Sequence, residues 1–157
     1  MPRRRTIAKR QTPPDPRYDS VIVQQLINKI MERGKKGVAE RIVYTAMDVA
    51  AERLKRPQME VLEQALRNAS PSIEVKPKRV GGATYQVPVE VKSDRRIALA
   101  MRWILNSARS RSGRPMHERL ALEMIDAFNG TGSTIKRKDD VHKMAEANRA
   151  FAHYGRL

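Results

Sequence analysis

The stretch IEVKPKRVGGATYQVPVEV, residues 73–91, decides the architecture. Ile73, Val75, Val87, Val89 and Val91 alternate with Glu74, Lys76, Lys78, Gln86 and Glu90, the two-residue period of a β-strand, and Gly81-Gly82 breaks the run in the middle. This predicts one β-hairpin over residues 72–91. Pairing the valines on one face calls for a three-residue loop, Gly81-Gly82-Ala83, with Ile73 opposite Val91, Val75 opposite Val89 and Arg79 opposite Tyr85. That register also sets Glu74 against Glu90, a like-charge pair it leaves unexplained. Pro77 and Pro88 blunt both outer edges, so no further strand is expected to join.

On either side of the hairpin the period changes to that of a helix. Ile22, Val23, Leu26, Ile27 and Ile30 form one apolar stripe, with Asp19 or Ser20 as N-cap and Gly34 as stop. Ala39, Ile42, Val43, Ala46, Met47 and Ala50 form a second. Pro57 opens a third helix built on Val61, Leu62, Ala65 and Leu66. After the hairpin, Ser93 is expected to cap a fourth helix to about Ser107. A fifth spans about Pro115 to Asn129, and a sixth about Asp139 to Tyr154. The fold class is therefore mainly α: a single domain of about six helices, with a hairpin protruding between the third and fourth. Residues 1–17 form a basic N-terminal extension, because Pro13, Pro14 and Pro16 deny them a helix. Residues 18–157 form the body.

At 157 residues with a net charge of +15 and no cysteine, the chain has no disulfide or thiolate metal site to lean on. Unpartnered charge of this size favours a polyanion, and nucleic acid is the expected partner. No span approaches the roughly 20 apolar residues of a membrane helix, and the basic start lacks the apolar stretch of a secretory signal. The expectation is a soluble intracellular protein without a membrane partner.

The cations concentrate in places suited to RNA. The extension carries Arg3, Arg4, Arg5, Lys9 and Arg10. The hairpin carries Lys76, Lys78 and Arg79, with Gln86 as a hydrogen-bonding amide, Tyr85 as a stacking ring, and Gly81 and Gly82 at its tip. Along the fourth helix Arg95, Arg102 and Arg109 recur on one face beside Arg96, and the row continues into Arg111 and Arg114, with no acid between Arg95 and Arg114. Trp103 lies off the main apolar stripe and reads as a peripheral core residue. Lys35 and Lys36 follow Gly34, and Lys136, Arg137 and Lys138 are expected just before the last helix. Basic groups spread over several loops fit a folded RNA better than a straight duplex. A DNA-binding architectural protein or repressor is the alternative. It fits less well, because no single recognition helix, dimerising heptad or zinc finger is present.

Catalytic residues, a metal site, a cofactor and a small-molecule substrate are not expected. His142 and Glu146 lie four apart on a helix but have no third ligand, and no phosphate loop or nucleophile motif occurs.

Taken together, these segments resemble the family of small-subunit ribosomal protein seven, of the bacterial and organellar type. The resemblance rests on Pro2-Arg3-Arg4-Arg5, INKIMERGKK (27–36), VGGATYQVPVEV (80–91), LAMRWI (99–104) and MAEANRAFAHY (144–154). It implies a ribonucleoprotein component of translation, in the ribosome of the cytoplasm or of an organelle. It implies a primary binder of the 3′ major domain of 16S rRNA that nucleates assembly of the subunit head. The hairpin is then expected at exit-site tRNA and mRNA, with small-subunit ribosomal proteins nine and eleven as neighbours. Members of the family often close with an Arg and an aromatic directly after the His-Tyr pair, whereas here Gly155-Arg156-Leu157 follows.

Overall fold

In a computed structural model that describes residues 11–156, six α-helices and one hairpin follow in the expected order. They are α1 (Val21–Ile30), α2 (Lys36–Leu54), α3 (Gln58–Ala69), β1 (Ile73–Val80), β2 (Ala83–Glu90), α4 (Ser93–Ser110), α5 (Met116–Phe128) and α6 (Gly132–Ala147). A 3-10 helix, Arg149–Arg156, ends the described chain. The basic positions Arg3, Arg4, Arg5, Lys9 and Arg10 lie outside the described residues.

The apolar stripes read from the sequence are the core. Val23, Leu26, Ile27, Val43, Met47, Val61, Leu62, Met101 and Ile104 are all buried, while Ile22, Ile42 and Ile97 pack at its margin. Burying side chains of this size contributes about 1.5–3 kcal/mol each. The organising element is α5, which packs against α2, α3, α4 and α6. It can lie at the centre because Leu120, Ala121, Met124 and Ala127 give it a narrow, fully buried face.

The start of the body is fastened by a buried acid. Asp15 accepts from the backbone amides of Arg17 and Tyr18 and from the Tyr44 hydroxyl of α2. Burial, and then the Asp15 carboxylate, push the Tyr44 phenol up to about 12. Arg17 bonds Asp48 through both carboxylate oxygens and lies over the rings of Tyr18 and Tyr44. Ser20 then caps α1 by accepting from the Val23 amide.

Four expectations are corrected. The hairpin closes on a two-residue loop, with Val80 opposite Ala83, Val75 opposite Pro88 and Ile73 opposite Glu90. Gly81 and Gly82 both have positive φ, 57° and 88°, as a type I′ turn requires, and this turn matches the twist of the strands. The shift places Glu74 opposite Val89, so the anticipated Glu74–Glu90 repulsion does not arise. It also puts Val75 on the face opposite Val87 and Val89, a division tolerated because the C-terminal segments lie along the hairpin: α6 meets β1, and the 3-10 helix covers β2.

Second, α6 starts at Gly132, about seven residues earlier than expected, so Lys136, Arg137 and Lys138 lie inside a helix and not in a loop. Its cap comes from another helix. The buried carboxylate of Glu123 in α5 accepts from the Thr134 amide at 3.1 Å and from its hydroxyl at 2.6 Å. Gly132 is required here. Its φ is +89°, and a Cβ would stand 2.8 Å from the Cβ of Asp126. Third, the helix ends at Ala147, and the chain continues to Arg156 in tighter 3-10 turns. Fourth, Ser93 is the first residue of α4 and not its cap; that position falls to Lys92, which makes no side-chain capping bond.

Candidate nucleic-acid interface

The hairpin presents two chemically different faces. Glu74, Lys76, Lys78, Tyr85, Val87 and Val89 share one, while Pro77, Arg79, Thr84, Gln86 and Pro88 share the other. The first is occupied by the protein itself. Tyr85 packs against Phe151 and Tyr154 of the 3-10 helix, with ring centroids 5.1 and 5.3 Å apart, and the Lys78 ammonium donates to the Tyr154 carbonyl at 2.7 Å. Arg79 and Gln86 are exposed on the second face with no side-chain partner among the described residues. The free hydrogen-bonding groups of the arm therefore sit back to back with the ring expected to stack on a base.

The base of the hairpin is held by a charged triad. Glu74 is only 8 % exposed, yet it takes two bonds from Arg95 (2.7 and 2.8 Å) and one ion pair from Lys76 at 3.0 Å. The Arg95 bonds hold the Glu74 carboxyl below the ordinary carboxylate range, against the opposing effect of burial, and Lys76 helps. Arg95 is raised in return by the same bonds. Arg96, one residue on, turns its Nε to the Val91 carbonyl.

The arginine row along α4 is sorted by the acids it meets, most of them on other elements. Arg109 pairs with Glu32 at 3.2 Å, and Arg114 with Glu118 at 3.5 Å, both at the surface. Arg111 turns inward. Its Nε and Nη2 reach the fully buried Glu123 at 2.9 and 2.6 Å, and it also bonds Asp126. Burial works against the charge on Arg111, but the bonds to the two carboxylates outweigh it and raise its pKa. Arg102 is exposed and has no carboxylate within bridging distance among the described residues. Sequence reading cannot separate these cases, because Glu32, Glu74 and Glu123 come from other elements.

Lys35 and Lys36 stand at the N-terminus of α2, where the helix dipole opposes cations, and no acid occupies its first turn. Only the Lys36–Glu40 contact at 3.6 Å offsets this. A bound phosphate would relieve both charges. His142 makes a structural bond, accepting from the Ser72 amide through Nε2 at 3.2 Å. Among the described residues no cluster of three metal-ligating side chains occurs, and no helix is long and apolar enough to cross a membrane.

The family model described as ribosomal protein S7p/S5e matches residues 2–149. The small ribosomal subunit protein uS7 of Chloroflexus aurantiacus is 77 % identical over 157 residues, covering both chains in full. That of Roseiflexus castenholzii is 74 % identical over the same span. That of Dictyoglomus turgidum is 59 % identical over 154 residues, covering 98 % of this chain and 99 % of its own.

Proposed function

The chain belongs to the ribosomal protein S7p/S5e family, whose members are structural and not enzymatic, and from that premise we propose that it binds the 3′ major domain of 16S rRNA and nucleates assembly of the small-subunit head. What carries this reading most directly is the family match from residue 2 to residue 149, which spans every basic element described above. The mechanism is phosphate neutralisation from a rigid frame. The extension of residues 1–17, Lys35 and Lys36, and Arg96, Arg102, Arg109 and Arg114 meet phosphates and release counterions. The helical body, residues 18–157, holds those groups at fixed separations, so selectivity comes from the shape of the RNA more than from its bases.

The hairpin reaches outward. Eight residues per strand make an arm of roughly 25 Å. Its free face, Arg79 with Gln86, is directed at exit-site tRNA and mRNA, and Gly81 and Gly82 keep the tip narrow. Lys76, Lys78 and Tyr85 stiffen the arm from the opposite face. Small-subunit proteins nine and eleven are the proposed protein neighbours, and the ribosome is the proposed location. Arg111 and Arg95 are given the role of positioning these surfaces, because their charge is already met by carboxylates.

The test is binding of the full chain to the isolated 3′ major domain, titrated across salt with tRNA and duplex DNA as competitors. A complex that survives physiological salt and resists both competitors is expected. Equal affinity for all three polyanions would refute the shape-matched mechanism and reopen the DNA-binding alternative.

A further inference from the structure

Between α4 and the first turns of α6 lies an open polar cleft of about 540 Å³, within the roughly 300–1,000 Å³ typical of small-ligand sites. Arg102, Trp103, Asn106 and Ser110 line it from α4, and Ser133 and Arg137 from α6. Positions 102, 103, 106 and 110 share one face of their helix, as 133 and 137 do of theirs, so the two rows look at each other across the gap. No carboxylate lines the cleft. Of the other arginines on and just after α4, Arg95 pairs with Glu74, Arg109 with Glu32, Arg111 with Glu123 and Asp126, and Arg114 with Glu118, while Arg96 bonds the Val91 carbonyl. Arg102 and Arg137 have no such partner among the described residues, and they converge beside the sole tryptophan of the chain.

We propose that this cleft is a seat for one unpaired nucleotide of a folded RNA. The proposal rests on the RNA-binding reading above and assigns it a site. The two guanidinium groups are suited to one phosphate, and a remaining oxygen can accept from the Ser133 hydroxyl; the Ser110 hydroxyl already donates to the Ser107 carbonyl at 2.7 Å. The indole of Trp103, half-buried and so held in place, offers a base a stacking surface. Asn106 carries both a donor and an acceptor and can read a base edge. A base within a duplex hides its faces, so the ligand is a nucleotide splayed from a loop or bulge.

Because Trp103 is the only tryptophan, the full chain reports on the site by its own fluorescence. The probes are hexauridylate and a sixteen-base-pair RNA duplex. Saturable quenching by the hexamer is expected, whereas the duplex should bind through the rest of the basic surface without quenching. Arg102→Gln combined with Arg137→Gln should weaken hexamer binding at least tenfold and lower the salt slope by about 0.7, the effect of one lost phosphate contact on a single strand. The melting temperature should stay unchanged, because neither side chain has a partner to lose. Trp103→Leu, followed with a labelled hexamer, should weaken binding about tenfold, the effect of one lost base stack. If the hexamer binds without quenching, or the double variant binds it as well as the parent, the cleft is not the seat and general RNA binding stands. If neither RNA binds, the RNA-binding reading itself fails, and the cleft with it.

Discussion

Replacing Glu123 by glutamine isolates the one fully buried acid that joins three elements. Its carboxylate accepts four hydrogen bonds: two from Arg111, in the loop after α4, and two from Thr134 at the start of α6. The substituted amide would keep a single accepting oxygen. Turned toward Thr134, that oxygen leaves the amide NH₂ against the Arg111 guanidinium, donor to donor. Turned toward Arg111, it leaves the Thr134 amide unpaired at a buried helix end. Hydrogen bonds to charged groups contribute about 1.5–3 kcal/mol each, and removing one partner of a buried pair costs about 3–5 kcal/mol. Arg111 retains Asp126 and is partly exposed, which lowers the expected loss to roughly 2–4 kcal/mol. For a chain of this length each kcal/mol lowers Tm by about 2–4 °C, so Glu123→Gln should melt about 5–15 °C below the parent. Hydrogen exchange should locate the damage at the Thr134 amide. Glu118→Gln, which removes only the exposed pair with Arg114, is the control and should move Tm by no more than about 2 °C. A Glu123→Gln variant as stable as that control would refute the view that this carboxylate holds α5, α6 and the Arg111 loop together.

Three further outcomes are expected. Gly132→Ala should cost at least about 2 kcal/mol in urea unfolding, from left-handed strain added to the contact with Asp126; stability equal to the parent would show that the turn relaxes freely. The Glu74 carboxyl is held below its ordinary value of about 4.5, so its contribution to the hairpin base is complete above that pH and is lost as pH falls through the lowered folded value. Amide protection at Val75 and Val89 should therefore drop below about pH 4.5, and Glu74→Gln should show weak protection with no such step. Arg79→Ala should leave assembly into subunits intact while weakening exit-site tRNA binding several-fold; failure to enter subunits would reverse the role proposed for the arm.

The helices are legible because their signal is local. Each apolar stripe repeats within one element, and Leu26, Val43, Leu62 and Met101 are core as their spacing implies. The hairpin's existence is legible for the same reason, but its register is not. Sequence pattern favours one apolar face, and this pattern cannot reveal that α6 and the 3-10 helix each cover part of the arm. The Gly81-Gly82 pair is the better guide, since two positive-φ residues in succession are what a two-residue loop needs. The start of α6 is hidden because its cap is Glu123, eleven residues upstream in another helix. Tyr85 reads as a free ring because its partners, Phe151 and Tyr154, lie at the far end of the chain. Trp103 reads as peripheral core, and its half-burial agrees, but the cleft beside it needs Arg137, which the sequence pattern places in a loop.

The charge excess of +15 does not by itself say which cations are available to RNA. Availability depends on what a phosphate would have to displace. Arg109 and Arg114 pair with Glu32 and Glu118 at the surface, where such contacts are worth about 0–1 kcal/mol. A phosphate can exchange for either carboxylate at almost no cost. Arg111 is different, because withdrawing it would strand the fully buried Glu123 without its counter-charge. An arginine row that looks uniform in sequence thus divides into groups without a carboxylate partner among the described residues, groups exchangeable at the surface, and two, Arg95 and Arg111, that the fold holds on the buried carboxylates of Glu74 and Glu123. By the same criterion, a phosphate at the proposed Arg102–Arg137 cleft would displace no carboxylate among the described residues.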